Sequence, residues 1–164
     1  RYFHEGNTIN QSNTVIIGAR SIDEREKEVE SFIKLGILNP ECNVQFGEGG
    51  AGTFSDGKLN TGVKDREGRN LFVLETFVEH GAREDILQDS KPHIGTDVLY
   101  DIIINMRHKL IKLGATFLFK HRLENVILNH ERQVKGVVLT DLVNNVEMRL
   151  DTNCCILAIG HSAR

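Results

Sequence analysis

NVQFGEGGAGTFSDGKLNTG, residues 43–62, carries six of the 15 glycines in this 164-residue chain. Glycine at this density is costly inside a helix or strand, because each glycine adds conformational entropy to the unfolded chain. The segment therefore predicts a loop whose main chain closely approaches a flat or anionic ligand, with a cavity beside it. The alternative is a flexible linker, but linkers favour Ser, Pro and charge over residues such as Phe46, Ala51 and Phe54.

Two known glycine patterns overlap in this segment, and neither is complete. Gly47, Gly49 and Gly52 satisfy G-x-G-x-x-G, the dinucleotide-binding fingerprint. That fingerprint needs a helix to open on it, and residues 53–57 do not favour a helix. Residues 52–58 nearly satisfy the phosphate-binding pattern G-x-x-x-x-G-K-S/T, but Leu59 replaces the hydroxyl that would bind magnesium. The segment therefore gives only weak support to a nucleoside-triphosphate binder.

The composition is that of one globular domain with a core of its own. A net charge of −3 with mixed signs and the absence of tryptophan argue against a nucleic-acid partner. No apolar run approaches the roughly 20 residues of a membrane span, and no signal peptide is evident. Cys42, Cys154 and Cys155 lack metal-ligand spacing, and the last two predict buried strand residues in a reduced, cytoplasmic setting. Because the sequence starts at Arg1 rather than Met, we interpret it as a piece of a longer protein.

Hydrophobic periodicity predicts a strand and then a helix near the start of the chain. The β-branched run at 14–18 predicts a buried strand. A helix follows from Ser21, where Ser21 and Glu24 form a capping box, and Gly36 ends it. This strand–turn–helix unit is typical of the second strand of a dinucleotide-binding domain.

The rest of the chain changes from helical to strand periodicity. Residues 1–13 carry no pattern, so the domain is predicted to span 14–164. Helical segments are predicted at 70–80, 84–87 and 96–113, the last with Thr96 as its cap and Leu113 facing inward. Strands are predicted at 116–120, 123–128, 134–140, 146–150 and 154–159. Polar junctions near His130 and at 144–145 suit hairpin turns, and the apolar strand at 154–159 favours a parallel sheet.

Four motifs occur along the chain in a fixed order. They are DER at 23–25, NVQFGEGGAGTFSDGKL at 43–59, KPHIGTD at 91–97 and LAIGHSAR at 157–164. Together they resemble bacterial FAD-dependent dehydrogenases or oxidoreductases, the NAD(FAD)-utilizing dehydrogenases of the glutathione-reductase-like flavoprotein group. The resemblance implies an α/β fold, a partial FAD/NAD(P)-binding domain with a parallel sheet, flanking helices and a β-meander crossover.

The resemblance also implies which residues contact the FAD. Arg25 would approach the pyrophosphate, and the main chain of Leu123 would meet the adenine. The glycine loop would pass the flavin ring with Gly47, Gly49, Gly50, Ala51, Gly52, Thr53, Phe54, Ser55 and Lys58. The turn that closes on the cofactor would contain Ala158, Gly160, His161 and Ser162. The substrate would be a small molecule whose identity the resemblance does not give.

The chain departs from this family at several positions. The family's first strand and its phosphate fingerprint should precede residue 14, and residues 1–13 do not supply them. Ile17 stands where a carboxylate normally holds the ribose hydroxyls, and Ile159 replaces the Thr of an Ala-Thr-Gly turn. The substrate-binding part that follows in the family is also missing after Arg164. Loss of FAD affinity in this fragment is therefore one of the expected outcomes.

The missing first strand has a geometric consequence. In the doubly wound order that strand lies between the strands at 14–18 and 154–159. These two apolar strands would then flank an empty slot, which is costly because strand edges carry unpaired N–H and C=O groups. We expect the slot to be filled by a second copy of the chain, by another partner chain, by rearrangement or by residues outside this sequence.

His93 and Lys58 are the candidate catalytic residues. A histidine near a flavin can act as an acid or base because its pKa suits neutral pH, although such residues more often stabilise a loop. Lys58 could neutralise a reduced flavin or a phosphate, or it could be an ordinary surface lysine. Asp56 and Asp97 more often cap turns than catalyse.

These observations favour a FAD-dependent oxidoreductase, or the cofactor-binding fragment of one. The redox chemistry would belong to the flavin, and the protein would position it. The alternative is a non-catalytic remnant or interaction module, which keeps the sheet and the loop but has lost flavin affinity. Ile17, Ile159 and the missing fingerprint favour that alternative.

Overall fold

The computed structural model describes residues 14–42, 44–55, 57–59, 65–89 and 92–159. Three α-helices are present: α1 (Ile22–Leu35), α2 (Arg69–Glu79) and α3 (Thr96–Lys112). Two 3₁₀ turns occur at Ala51–Phe54 and Glu84–Leu87. The strands are β1 (Val15–Gly18), β2 (Thr116–Phe119), β3 (His121–Leu128), β4 (Val134–Asp141) and β5 (Val146–Asp151). Among the described residues, no helix is both long and apolar enough to cross a membrane.

The strands form one parallel and one antiparallel sheet, so the chain has a small α/β fold. β1 and β2 pair in parallel, with Val15 opposite Thr116 and Gly18 opposite Phe119. The parallel pairing requires a long crossover, and all three helices lie in it. β3, β4 and β5 form an antiparallel meander joined by tight turns. A parallel sheet and the predicted hairpins are therefore present, whereas the pairing of β1 with β2 was not predicted.

The two ends of α1 confirm the predicted capping residues. The Ser21 hydroxyl accepts a hydrogen bond from the Glu24 amide at 3.4 Å. Gly36 ends the helix in the left-handed conformation (φ +69°), and its N–H donates to the Phe32 carbonyl at 2.8 Å. The Glu24 carboxylate forms an ion pair at 2.5 Å with Lys120, the residue that follows β2. Because these signals are local, the sequence alone could place this helix.

The start of α3 differs from the prediction. Gly95, not Thr96, is the N-cap residue, with extended dihedral angles (φ −56°, ψ 148°) and no side-chain cap. Thr96 is the first helical residue, so its hydroxyl does not hold the predicted position. Asp97 does lie in the first turn, where a carboxylate complements the helix dipole.

The main hydrophobic core lies between α2, the turn at Glu84–Leu87 and α3. Its buried members are Ala82, Ile86, Ile94, Leu99 and Ile102. Leu74, Phe77 and Val78 of α2 pack against this cluster. The meander contributes its own buried residues on β4, Val137 and Leu139. Leu113 is 69% exposed, so its predicted inward position is wrong: it follows the last residue of α3.

The predicted strand at 154–159 is the main error in the fold prediction. These residues form no strand, and Ile156 is 87% exposed. Cys154 is exposed and Cys155 is half-buried, so their predicted burial is wrong as well. Within the described part of the chain, β1 pairs with β2 alone, and no strand lies beside its other edge. An apolar run cannot hold a strand conformation without a neighbour for its N–H and C=O groups.

Candidate functional site

The glycine loop folds back over the start of α1. The amide of Glu48 donates to the carbonyl of Arg20 at 3.3 Å, which ties the loop to the β1–α1 connection. Gly47, Gly49 and Gly50 have positive φ angles of 110°, 83° and 66°. Such angles are accessible to glycine and strained for most other residues. The glycines therefore shape a specific turn in the loop.

Arg25 forms the inner support of the loop. It is fully buried, and one guanidinium nitrogen donates to the carbonyls of Glu48 and Gly50, the latter at 3.0 Å. A second guanidinium nitrogen, Nη2, donates to the Val44 carbonyl at 3.3 Å. The guanidinium carbon also lies 4.7 Å from the centre of the Phe54 ring, a cation–π contact. Burial lowers the pKa of Arg25, and the nearby Glu48 carboxylate opposes that shift.

This position gives Arg25 a structural task at the loop. A contact with a pyrophosphate stays a prediction, and it would require the guanidinium to leave the loop carbonyls. Two glycines make room for the same packing. A Cβ on Gly47 would lie 2.7 Å from Cδ of Arg25, and one on Gly49 would lie 2.3 Å from Oγ1 of Thr53. Thr53 is itself buried and donates to the Gly49 carbonyl at 2.8 Å.

The opposite side of the loop is open. A Cβ on Gly50 or Gly52 would meet nothing within 4 Å. Ala51, Gly52 and Ser55 are exposed, and Phe54 is half-buried. We call the surface formed by Gly50, Ala51 and Gly52 the outer face. It presents main chain and a single methyl group to solvent.

A cluster of charged side chains lies beside the inner support and was not predicted from the sequence. Arg107 of α3 donates to Glu48 Oε2 at 2.7 Å and to Asp23 Oδ2 at 2.9 Å. Glu48 Oε2 also accepts from the Ile22 amide at 2.7 Å, at the amino end of α1. The Tyr100 hydroxyl donates to Asp23 Oδ1 at 3.0 Å. The cluster therefore joins the loop, α1 and α3.

The two carboxylates of the cluster have opposite pKa shifts. Burial raises the pKa of Glu48, although the Ile22 amide and Arg107 stabilise its ionised form. The hydrogen bond from Arg107 lowers the pKa of Asp23, which is more exposed. In both cases Arg107 favours the ionised carboxylate. Asp23 therefore favours the folded state above its ordinary pKa, and that contribution is lost as the pH falls through the lowered value.

Tyr100 offers a direct test of this cluster. Burial, together with the hydrogen bond to Asp23, raises the pKa of Tyr100 from 10.0 to about 12. Its contribution to folding should be complete below pH 10 and lost as the pH rises from 10 to about 12. The chain has two tyrosines, so a Tyr2→Phe background leaves Tyr100 as the sole reporter in a phenolate absorbance titration.

In that background, Asp23→Asn should lower the pKa of Tyr100 without returning it to 10.0, because the ring stays partly buried. An unshifted Tyr100 in the Tyr2→Phe protein would show that this phenol is hydrated and not bonded to Asp23.

Lys58 and His93 are brought together. They pair across an antiparallel bridge between two extended segments. The Ile94 amide donates to the Gly57 carbonyl at 2.9 Å, and the Leu59 amide donates to the Pro92 carbonyl at 3.0 Å. Both candidate catalytic residues are exposed. The bridge shows that they are neighbours, and their catalytic roles stay predictions.

The remaining predicted site residues are spread over the chain. Leu123 is half-buried on β3 and pairs with Leu139. Ala158 is exposed in the segment that was predicted as a strand. Asp97 is exposed at the start of α3. The residues that lie outside the described part of the chain are Asp56, Gly160, His161 and Ser162.

Two open clefts lie on the surface. The first, of about 370 Å³, is lined by Arg20, Glu24, Lys27, Glu28, Lys120 and Val143. It lies where β1 and β2 end, the usual ligand position in open α/β sheets. The second, of about 670 Å³, is lined by Glu79, His80, Asn105, His108, Lys109 and Lys112. The predicted cavity beside the glycine loop is neither of these. The described residues include no group of His, Cys, Asp and Glu that could hold a metal.

Comparison with known proteins relates this chain to part of a longer protein. No protein-family model matches this chain. The chain is 42% identical, over 143 residues, to an uncharacterized protein of Clostridium beijerinckii. The aligned region covers 87% of this chain and 25% of that protein. The chain therefore spans about a quarter of the length of the curated relative it matches.

Proposed function

We propose that this chain is the cofactor-binding part of a FAD-dependent oxidoreductase, with the outer face of the glycine loop against the flavin ring. The carrying observation is that the loop has two different sides. Arg25 and Thr53 occupy the inner side, whereas Gly50 and Gly52 leave the outer side without side chains. A flat ring can approach main chain closely only where side chains are missing. The sequence resemblance to flavoproteins supplies the identity of the ring.

The charges around the loop favour the ring over the phosphates of FAD at this place. Arg25 is bonded to loop carbonyls, and Glu48 lies on the amino end of α1. The amino end of a helix is a common phosphate site, and here a carboxylate of the protein occupies it. The outer face is uncharged, so it suits the ring. For the ADP portion of FAD we propose the cleft at the ends of β1 and β2, where Arg20 and Lys27 would face the phosphates and Lys120 would first have to leave its ion pair with Glu24.

The bound flavin would supply the hydride or electron chemistry. The chain's own residues would bind and orient it. The main chain of the outer face would lie against the ring, and Lys58 and His93 are the candidates for charge and proton handling. Their shared bridge keeps the two side chains on neighbouring segments. No substrate beyond a small molecule is proposed.

The parallel sheet supports a further part of this proposal. Within the described residues, one edge of β1 has no neighbouring strand, and Ile156, Leu157 and Ile159 are exposed. A strand from another chain, from a second copy or from a longer polypeptide would pair with that edge and give the segment at 154–159 a partner. We propose that such a strand completes the sheet, whereas FAD binding at the glycine loop needs only this chain.

The second candidate function is an interaction module without cofactor. The observation that favours it is the same open edge, because an unpaired strand can bind a partner by strand addition. A nucleoside-triphosphate binder is less well supported. Lys58 lies in an extended bridge with His93, whereas a phosphate-loop lysine lies where a helix begins.

A FAD titration monitored by flavin fluorescence tests the proposal. We expect the chain to bind FAD with a Kd on the order of micromolar. The variant Gly52→Leu should bind about tenfold or more weakly, because its side chain enters the open space of the outer face. The same variant should keep its free energy of unfolding within about 1 kcal/mol, since no neighbour is displaced.

Two outcomes would contradict the proposal. If the unaltered chain binds no FAD at millimolar concentration, the interaction module becomes the better account. If Gly52→Leu binds FAD as tightly as the unaltered chain, the flavin lies elsewhere.

A further inference from the structure

Arg107 connects α3 to two other parts of the chain through separate nitrogens. Nη1 lies 2.7 Å from Glu48 Oε2 in the loop, and Nη2 lies 2.9 Å from Asp23 Oδ2 in α1. Its side chain is 13% exposed, and its guanidinium carbon lies 5.7 Å from the centre of the Phe119 ring. An ion pair this sheltered from water is far stronger than an exposed one, provided that its partners stay in place.

Glu48 is held on three sides. Its carboxylate is 10% exposed and accepts from Arg107 and from the Ile22 amide through the same oxygen. Its own carbonyl accepts from Arg25, and its amide donates to Arg20. Gly50 and Gly52 of the outer face come two and four residues after Glu48 in the chain. The position of Glu48 therefore fixes where the outer face begins.

We infer that Arg107 is a positioning residue, which holds the glycine loop in its binding shape by keeping Glu48 on the amino end of α1. This inference rests on the proposed function, because it explains how a loop so rich in glycine can present one fixed surface. Without such an anchor, the glycines would give the loop many alternative conformations. A ligand would then have to order the loop on binding, at a cost in affinity.

The geometry requires arginine at this position. The guanidinium reaches two carboxylates on different elements with two nitrogens in a fixed plane. A lysine has one ammonium group and cannot hold both oxygens in this arrangement. Arg107→Lys should therefore keep the charge and lose part of the positioning.

The two arms of Arg107 provide a matched comparison. Glu48→Gln removes the charge on the arm that holds the loop, and Asp23→Asn removes the charge on the arm that holds α1. Both substitutions keep the shape of the side chain. If Arg107 positions the loop through Glu48, only the first should release the loop.

Amide hydrogen exchange of the loop segment 44–55, measured without ligand, tests this inference. We expect Arg107→Gln and Glu48→Gln each to speed exchange in this segment about tenfold or more, and Asp23→Asn to change it by less than about twofold. In the double variant Arg107→Gln/Glu48→Gln, the loop should exchange no faster than in Glu48→Gln alone. Each substitution removes the same contact, the one between Arg107 and Glu48. The loop exchange rate of Arg107→Lys should lie between the rates of the unaltered chain and Arg107→Gln. If Arg107→Gln does not fold, Arg107→Lys takes its place in the comparison.

Unchanged loop exchange in Glu48→Gln and Arg107→Lys would overturn the inference. Equal acceleration in Asp23→Asn would also overturn it, since that result is expected of a general loss of stability.

A FAD titration of the same variants separates this inference from the proposed function. If FAD binding weakens in Glu48→Gln but not in Asp23→Asn, both are supported. If the unaltered chain binds no FAD while the exchange pattern holds, the proposed function fails and the anchoring of the loop by Arg107 stands. If FAD binds Glu48→Gln normally despite fast loop exchange, the anchoring of the loop stands, but the claim that this anchoring supports flavin binding at the outer face is overturned.

Discussion

Replacing Arg25 with methionine should lower the free energy of unfolding by about 3–5 kcal/mol, because each buried carbonyl that loses its donor costs about 1–3 kcal/mol. Methionine fills part of the space but donates no hydrogen bond, so the carbonyls of Val44, Glu48 and Gly50 lose a donor. The buried Glu48 carboxylate would also lose a nearby positive charge that partly offsets the cost of its desolvation. For a domain with a total stability of about 5–15 kcal/mol, this loss would remove much of the folded population.

Urea denaturation followed by circular dichroism measures this effect. Arg69→Met is the matched control, because the side chain of Arg69 is 77% exposed and pairs with the exposed carboxylate of Glu67. We expect the control to change stability by less than about 0.5 kcal/mol. A loss of less than about 1 kcal/mol in Arg25→Met would mean that the loop does not depend on this guanidinium.

Gly57→Ala should be at least as damaging, with an expected loss of about 3 kcal/mol or more. The added Cβ would lie 1.7 Å from the carbonyl oxygen of Ile94. That oxygen belongs to main chain next to the core, because Ile94 is 4% exposed and its amide donates to Gly57. The backbone must therefore move, and the bridge between Lys58 and His93 moves with it.

Gly68→Ala separates the clash from backbone strain. Gly57 and Gly68 have nearly the same positive φ, 70° and 71°. A Cβ on Gly68 would meet nothing within 4 Å, so its alanine variant should lose only the left-handed strain of about 1–2 kcal/mol. Thermal or urea denaturation of the two variants gives the difference directly. Equal losses at the two positions would show that Gly57 and Ile94 are not in contact as described.

The features that the sequence predicted well are those with local causes. The capping residues Ser21 and Gly36 act on amides and carbonyls within a few residues, so a linear pattern reveals them. The alternation of β3, β4 and β5 likewise depends on turns between neighbouring strands. A pairing such as Arg107 with Glu48 joins residues 59 positions apart, and no local pattern reports it. The only signal was a single carboxylate within a run of glycines.

Two other features show that amino-acid composition alone does not determine local structure or contacts. The apolar residues at 154–159 have strand composition, but strand formation depends on a neighbour that the composition does not report. The glycine density predicted close approach to a ligand, whereas Gly47 and Gly49 make room for Arg25 and Thr53 of the protein itself. Of the glycines at 47–57, which the structure describes, Gly50 and Gly52 alone face open space. The sequence therefore predicted the loop, and the structure divides its glycines into two groups.

The central claim is that the outer face contacts the ring of a flavin. Amide hydrogen exchange of the chain, measured with saturating FAD, riboflavin or ADP in turn, tests it most directly. The account predicts that FAD and riboflavin both slow exchange at residues 50–54 and that ADP does not. Protection of these residues by ADP alone, or FAD binding that leaves their exchange unchanged, would contradict it.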